Sequence, residues 1–133
     1  MATSPADWNS LMPFARLVGL DVTAVSPEEV RGRLEWAPER CTSNGVLHGA
    51  ALITLADTLG AMCAFMNLPA GAGTATIESK TNFFRAVTKG HVEATARPLH
   101  VGRTTIVVQT DISDAEGRRV AQVTQTQAVL LPK

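Results

Sequence analysis

The sequence predicts an α+β domain in which a six-stranded antiparallel sheet curves around one long helix. Three observations predict this fold. Residues 48–66 form one nearly uncharged segment with the length of a five-turn helix, by a rough count of residues per turn. Strand-like stretches flank it, two before and four after. Glycine lies in each break between the last four, as is common in tight turns between antiparallel strands. This order is typical of a sheet with a helix on one face.

Local signals place each element in turn. We expect residues 1–9 to be loose, as chain termini often are. Pro13 and Gly19 suit the start and end of a short helix at about residues 12–17. The segment Asn-Leu-Pro-Ala-Gly at residues 67–71 ends the long helix after residue 66. The expected strands are residues 20–26, 30–37, 74–84, 90–100, 104–113 and 119–130.

Composition limits the function classes. A chain of 133 residues is expected to form one domain, residues 1–133. Its formal charge of zero argues against nucleic acid as a partner. Cys41 and Cys63 form neither a metal motif nor a disulfide framework, which favours a reduced, cytoplasmic setting. The N-terminus lacks the features of a signal peptide. The helical segment carries an acid and much Ala, Gly and Thr, so we expect a buried helix and no membrane span.

The acid in the long helix is the main candidate functional residue. Asp57 is the only charged residue between Gly49 and Phe65. An ionised carboxylate in apolar surroundings costs free energy unless it is paired, hydrated or used in chemistry. A purely structural role, bonded to a neighbouring threonine hydroxyl, is the alternative. The helix also opens after a glycine-containing loop that ends in His48. Free N–H groups at a helix start can bind a carbonyl oxygen that gains negative charge.

The spacing of His48 and Asp57 has a geometric consequence. Nine residues turn a helix through about 900°, which leaves the two side chains on opposite faces. If both act in one site, two helices from two subunits satisfy the geometry. Alternatively, His48 only caps the helix or binds a backbone carbonyl. Along the strand after the helix, alternation puts one set of residues on one face and Glu78, Lys80 and Asn82 on the other. The first set is Ile77, Ser79, Thr81 and Phe83.

Four motifs then carry a family resemblance. They are Gly-Val-Leu-His-Gly-Ala at 45–50, Leu-Ala-Asp at 55–57, Thr-Ile-Glu to Asn-Phe-Phe-Arg-Ala at 76–86, and Val-Gly-Arg at 101–103 followed by the turn at 114–117. In this order they resemble the hotdog-fold acyl-CoA thioesterases, specifically the phenylacetate-degradation type. The chain has Ala50 where the family usually has a second glycine. It has Thr42 where many members have asparagine, and the nearest asparagine is Asn44.

The resemblance implies a hotdog fold and hydrolysis of an acyl-CoA to a free acid and coenzyme A. It implies no metal and no cofactor, since coenzyme A is part of the substrate. It also implies a homodimer or a tetramer formed by two dimers, with sites across a dimer interface. Within it, Asp57 acts as general base or nucleophile, and the Gly49 N–H donates to the oxyanion. His48 positions the substrate and Thr76 orients water.

Two further residues are expected to bind substrate. They are Asn44, in the loop before the helix, and Arg103, whose guanidinium suits the phosphates of coenzyme A. The sequence leaves the acyl group open between aromatic, hydroxylated aromatic and medium-chain groups. It also leaves two rival functions. One is an acyl-thioester hydratase or dehydratase of the same fold, although the helix interior holds no histidine for it. The other is a non-catalytic acyl-CoA-binding protein, against which the carboxylate of Asp57 argues.

Overall fold

The computed structural model describes residues 4–133. Within that range, the helices are α1 (Pro5–Leu11), α2 (Pro13–Val18) and α3 (Gly49–Phe65). The strands are β1 (Asp21–Val25), β2 (Val30–Glu35), β3 (Gly73–Phe83), β4 (His91–Val101), β5 (Thr105–Asp114) and β6 (Arg119–Leu130). Two short 3₁₀ turns, Pro38–Arg40 and Ser43–Gly45, lie in the loop that leads into α3. The predicted long helix, short helix and six strands are therefore confirmed, with their ends shifted by at most two residues.

The expectation of a loose N-terminus needs a correction. Residues 5–9 of the stretch expected to be loose lie in α1, while residues 1–3 lie outside the described range. The Ser4 side chain accepts a hydrogen bond from the Asp7 N–H, and the Asp7 carboxylate accepts one from the Ser4 N–H. This reciprocal pair satisfies free N–H groups at the helix start, and Pro5 fits the first turn because its missing N–H needs no partner.

The six strands form one antiparallel sheet in the order β1-β2-β4-β5-β6-β3. Helix α3 lies against one face of this sheet and contacts strands β2 to β6. Most of α3 is buried between the sheet and the rest of the chain, including Leu55, Leu59 and Cys63. This is the hotdog arrangement, so the predicted fold is confirmed. Among residues 4–133, no helix is long and apolar enough to cross a membrane.

Two glycines let the helix and the sheet approach closely. A methyl group on Gly32 of β2 would lie 2.9 Å from the Leu59 side chain of α3. A methyl group on Gly60 of α3 would lie only 2.0 Å from Oε1 of Gln125 on β6. In folded proteins a Cβ atom does not lie that close to another side-chain atom. Both positions therefore require glycine if the neighbouring side chains are to stay where they are.

The two edges of the sheet differ. On β1, the Asn9 side chain accepts a hydrogen bond from the Val22 N–H and donates one to the Val22 carbonyl. An amide that bonds both backbone groups occupies the place of a neighbouring strand and blocks that edge. At the other edge, β3 is 11 residues long and mostly exposed, and its Ile77 side chain is 61% exposed. The β3 edge is therefore free to pair with another strand.

Candidate active site

Asp57 lies near the middle of α3 with its carboxylate half-buried between the helix and the sheet. Its Oδ1 atom accepts a hydrogen bond from the Thr76 hydroxyl at 2.9 Å and one from Nε2 of Gln125 at 3.1 Å. Both donors thus converge on one oxygen. Its Oδ2 atom accepts no hydrogen bond from any residue in the 4–133 range. The carboxylate is fixed on one side and available on the other.

A β-bulge brings Thr76 to the carboxylate. Strand β3 pairs with β6 in a register that shifts between Thr76 and Glu78. Strict alternation would place Thr76 on the face opposite to Ser79 and Thr81. The extra residue at the bulge instead lets Thr76, like Ser79, face the helix side, where Thr76 pairs with Gln127. Bulges commonly re-aim a side chain in this way beside functional sites.

Two buried glutamines on β6 form a second layer behind Asp57. Gln125 and Gln127 are each 1% exposed. Nε2 of Gln125 also lies 2.9 Å from Oε1 of Gln127, and Nε2 of Gln127 lies 3.2 Å from the Thr74 hydroxyl. Oε1 of Gln125 is buried and has no hydrogen-bond partner among residues 4–133. Neither glutamine was predicted as a site residue from the sequence, because Thr-Gln-Thr-Gln is polar on both faces of the strand. The sequence did contain one signal for them. Gln125 and Gln127 alternate with the same period as Val123, which places all three side chains on the inward face of the strand.

An apolar pocket of about 750 Å³ opens beside Asp57. Helices α1 and α2 form one side of it, and α3 forms the other. Trp8 of α1 packs edge-on against Phe65 of α3, with ring centroids 5.4 Å apart. The remaining lining is mainly apolar: Leu11, Met12, Pro13, Phe14, Ala15, Ala61 and Met62, with Thr58 and Thr74 as polar members. A volume of this size is typical of sites for small organic ligands, and a single carboxylate at its wall can act on a polar group of the ligand.

The start of α3 has one free donor. Nδ1 of His48 accepts a hydrogen bond from the Ala50 N–H at 2.9 Å, so His48 caps the helix. The next two N–H groups, of Ala51 and Leu52, donate to the His48 carbonyl. Within the described part of the chain, no acceptor lies within hydrogen-bonding distance of the Gly49 N–H. A free N–H at the positive end of a 17-residue helix is suited to bind an oxygen that carries negative charge.

The Phe83 ring lies over this helix start. A methyl group on Gly49 would come within 3.1 Å of Cζ of Phe83. The absence of a side chain at Gly49 therefore leaves room for both the ring and an incoming group. The ring itself is half exposed.

The structure does not bring His48 and Asp57 together within one chain. They are nine residues apart on the same helix, about 13.5 Å along its axis. His48 lines a second pocket, of about 530 Å³, together with Arg40 and Cys41, whereas Asp57 lines the apolar pocket. Among the described residues, Phe14 alone is common to both linings. One protomer therefore presents the carboxylate and the free N–H at separate places.

Asn44 and Arg103 also lie apart from Asp57. Asn44 has a left-handed backbone, with φ of 65°, in the turn before α3, a conformation that asparagine adopts more readily than most residues. Arg103 lies in the β4–β5 turn and lines a groove of about 560 Å³ beside Leu68, at the opposite end of α3 from His48. In the described range, Arg103 has no ion pair. Neither residue touches the apolar pocket.

The cysteines add no reactive group to this site. Cys63 is fully buried in α3, and burial raises the pKa of its thiol to about 11. A thiol of this kind stays protonated near neutral pH and is a poor nucleophile. The Cys41 thiol donates a hydrogen bond to the Ala37 carbonyl. Across residues 4–133, no group of three or more His, Cys, Asp or Glu side chains is placed to hold a metal ion.

Sequence comparisons show which known proteins this chain resembles. Residues 44–121, which contain α3 and most of the sheet, match the family model described as the thioesterase superfamily. The chain is 32% identical over 122 residues to Rv1847 of Mycobacterium tuberculosis, a protein named as an esterase, and the match covers 90% of this chain and 87% of that one. It is 35% identical over 86 residues to the proofreading thioesterase EntH of Cronobacter sakazakii, covering 65% and 63% of the two chains.

Two solved structures show the same architecture. The thioesterase PA1618 of Pseudomonas aeruginosa superposes with a TM-score of 0.92 and 26% identity, covering 98% of this chain and 96% of the other. The phenylacetic acid degradation protein PaaI of Thermus thermophilus superposes with a TM-score of 0.82 and 28% identity, covering 90% and 100%. The similar proteins thus include the phenylacetate-degradation type among others. They support the superfamily, and the type within it stays a prediction.

Proposed function

This chain belongs to the thioesterase superfamily, and from that membership we propose that it hydrolyses an acyl-CoA thioester to a free acid and coenzyme A. The observation that carries the proposal is the Asp57 carboxylate. Two donors hold its Oδ1 atom, its Oδ2 atom has no partner among the described residues, and an apolar pocket of acyl size lies beside it. A carboxylate held in this way can act on the thioester carbonyl of a group bound in the pocket.

Asp57 acts by one of two routes. As general base, it takes a proton from water while the water oxygen adds to the thioester carbonyl carbon. The tetrahedral intermediate then collapses, the carbon–sulfur bond breaks, and the proton passes from the carboxyl to the leaving thiolate. As nucleophile, Oδ2 adds to the carbonyl carbon and expels the thiolate, and water then hydrolyses the mixed anhydride. In the first route Thr76 orients the water, because its hydroxyl lies beside the carboxylate.

The working unit in this proposal is a homodimer or a tetramer built from two dimers. Oxyanion formation requires a donor near the carbonyl oxygen, and the free Gly49 N–H is the candidate. In one chain this N–H lies about 12 Å along the helix axis from Asp57. Pairing of two free β3 edges about a two-fold axis would place the α3 helices side by side, so that Gly49 of each copy can approach Asp57 of the other.

His48 has a positioning role in this proposal. Its Nδ1 atom accepts the Ala50 N–H and so carries no proton. The neutral imidazole therefore has its proton on Nε2, which can donate to an oxygen of the substrate. Asn44 lies in the same loop and is a second candidate for substrate contact. Arg103 is the candidate for the phosphates of coenzyme A, because its guanidinium has no ion pair in the described range and lies beside a groove.

The pocket lining supports an aromatic or medium-chain acyl group. Trp8 and Phe65 meet edge-on at its wall, an arrangement that also suits contact with a third ring, while Met62 can adapt to a flexible chain. A hydratase or dehydratase of the same fold is the second candidate. It would need a histidine aimed at the acyl chain. Among the described residues of one chain the apolar pocket has none in its lining, and the shared site proposed above directs His48 of the other copy at a substrate oxygen.

An acyl-CoA panel tests the proposal. Benzoyl-, phenylacetyl- and hexanoyl-CoA are incubated with the protein and the released thiol is measured. Crotonyl-CoA is included, because hydration of its double bond removes the absorbance of the α,β-unsaturated thioester without releasing thiol. Thiol release from at least one member is the expected result. Hydration of crotonyl-CoA without thiol release would point to the hydratase. Tight calorimetric binding of the whole panel without turnover would point to a non-catalytic binder.

A further inference from the structure

The buried glutamine behind Asp57 has an unusual hydrogen-bonding state. Gln125 donates to Oδ1 of Asp57 and to Oε1 of Gln127. Its own Oε1 is buried against Gly60 and has no partner in the described part of the chain. Buried acceptors without a partner are rare in folded proteins. The protein therefore keeps the Gln125 amide in an orientation that leaves its oxygen unsatisfied.

Neighbouring groups fix this orientation. The Thr74 hydroxyl donates its single proton to the Ala128 carbonyl at 2.8 Å, so it can only accept from Gln127. Gln127 consequently points Nε2 at Thr74 and Oε1 at Gln125. Gln125 must then present Nε2 to that oxygen, and its second N–H points at Oδ1 of Asp57. Rotating the Gln125 amide by half a turn would place its oxygen against two other acceptors.

The Thr76 hydroxyl is a less constant donor than Gln125. It lies 2.9 Å from Oδ1 of Asp57 and 2.7 Å from Oε1 of Gln127, but it has one proton for two acceptors. When the carboxyl takes a proton on Oδ2, the charge on Oδ1 falls, and the Thr76 hydroxyl can donate its hydrogen bond to Oε1 of Gln127 instead. The Gln125 N–H has no such alternative and stays on Oδ1.

We propose that Gln125 is a positioning residue that holds Oδ1 of Asp57 and thereby reserves Oδ2 as the reacting oxygen. Gly60 makes the contact possible, because any side chain there would displace the Gln125 amide. This inference rests on the proposed function of Asp57, and it adds which oxygen reacts and what holds the other one. Gln125 acts through Asp57 and does not itself touch the substrate.

A matched pair of substitutions tests this role. Gln125→Met keeps the length of the side chain and removes the donor. Gln122→Met is the control, because Gln122 lies on the same strand and donates to Oδ1 of Asp111 at 3.1 Å on the other face of the sheet. With the best acyl-CoA, we expect Gln125→Met to lower kcat by about 10- to 100-fold, the effect of losing a hydrogen bond to a charged group. KM should change little, and Gln122→Met should match wild type in both constants.

The pH dependence of kcat distinguishes the loss of the Gln125–Asp57 hydrogen bond from general damage to the packing. Without the Gln125 N–H, the charged form of the carboxylate loses a donor that stabilises it. The acid limb of the kcat profile should therefore move to higher pH by about one unit, a shift equivalent to one modest hydrogen bond. A loss of packing alone would lower kcat and leave the limb in place. A folded Gln125→Met protein with wild-type kcat and an unmoved acid limb would overturn the proposal.

A substitution on α3 disturbs the same hydrogen bond between Gln125 and Asp57. Gly60→Ala adds a methyl group 2.0 Å from Oε1 of Gln125, while alanine suits a helix interior better than glycine. We expect the same fall in kcat and the same shift of the acid limb. If Gln125→Met does not fold, this variant decides the question, and wild-type kinetics in folded Gly60→Ala would overturn the proposal.

A spectroscopic measurement keeps this inference separate from the proposed function. If wild type releases no thiol from any acyl-CoA, the proposed function fails, but the Gln125 contact can still be measured. In ¹⁵N-labelled protein, the side-chain amide protons of Gln125 should shift with pH as the Asp57 carboxylate ionises, and Asp57→Asn should remove that dependence. Gln125 resonances that do not respond to pH would refute the contact.

Discussion

Complementation between two inactive variants tests whether the site is shared between subunits. His48→Asn removes the imidazole donor but keeps a good helix cap for the Ala50 N–H, so α3 should stay intact. Asp57→Asn removes the carboxylate. The two positions are about 13.5 Å apart along one helix, too far to act on one thioester carbonyl. If each site combines Asp57 of one copy with His48 of the other, a mixed dimer has one site with both residues intact and one with both replaced.

The expected activity follows from this count. Each parent homodimer carries two defective sites and should be nearly inactive. A heterodimer purified by two different tags after co-expression should have about half of the wild-type kcat per dimer, since one of its two symmetric sites is complete. Thiol release from the best acyl-CoA is the assay, with a doubly tagged wild-type dimer as the control. A heterodimer as inactive as its parents would refute the shared site, and so would a fully active monomer in solution.

Three further predictions address separate parts of the molecule. Thr76→Val should lower kcat by about 10- to 100-fold in the same thiol assay, because it removes a hydrogen bond to the Asp57 carboxylate, and turnover within a few-fold of wild type would exclude that role. Asp114→Asn should lower the free energy of unfolding at neutral pH. Although burial opposes its ionisation, the N–H and guanidinium of Arg118 hold the Asp114 pKa below its usual value, so this stabilisation is present above the ordinary aspartate range and is lost as pH falls through the lowered value. Denaturant unfolding at a series of pH values should show the two proteins converging in acid, and a constant difference would contradict it. Incubation with EDTA should leave turnover unchanged, since residues 4–133 contain no cluster with metal-ligand geometry, and a loss reversed by one specific metal would contradict that expectation.

The sequence predicted the fold well because its main elements have strong local signals. The apolar segment that became α3 is too long for a strand, and glycine-containing turns separate β3 to β6. Helix α1 was missed because it has only seven residues and none of them is buried. Its stability comes from the Ser4–Asp7 capping pair and from its contacts with neighbouring elements, such as the Trp8–Phe65 pair. Contacts of this kind depend on tertiary structure and leave no periodic signal.

The candidate site was predicted in part. Asp57 was recognisable because a lone acid in an apolar helix conflicts with its surroundings. Gln125 was not recognisable, because the side of the strand that faces the helix is decided by the register of β6 with its neighbours. The contact of Thr76 with Asp57 depends on a bulge that strict alternation cannot reveal. The expected role of every site residue stays a prediction, and one chain does not place His48, Asn44 or Arg103 beside the carboxylate.

The most direct test of the central claim is the turnover of Asp57→Asn. Asparagine keeps the size of the side chain and an oxygen that can accept from Thr76 and Gln125, but it cannot serve as base or nucleophile. The measurement is kcat for thiol release from the best acyl-CoA, with circular dichroism and gel filtration to establish the fold and the oligomeric state. We predict a loss of at least about 10²-fold, the usual effect of removing a general base. A correctly folded and assembled Asp57→Asn protein with turnover within a few-fold of wild type would contradict the assignment of Asp57 as the reacting group.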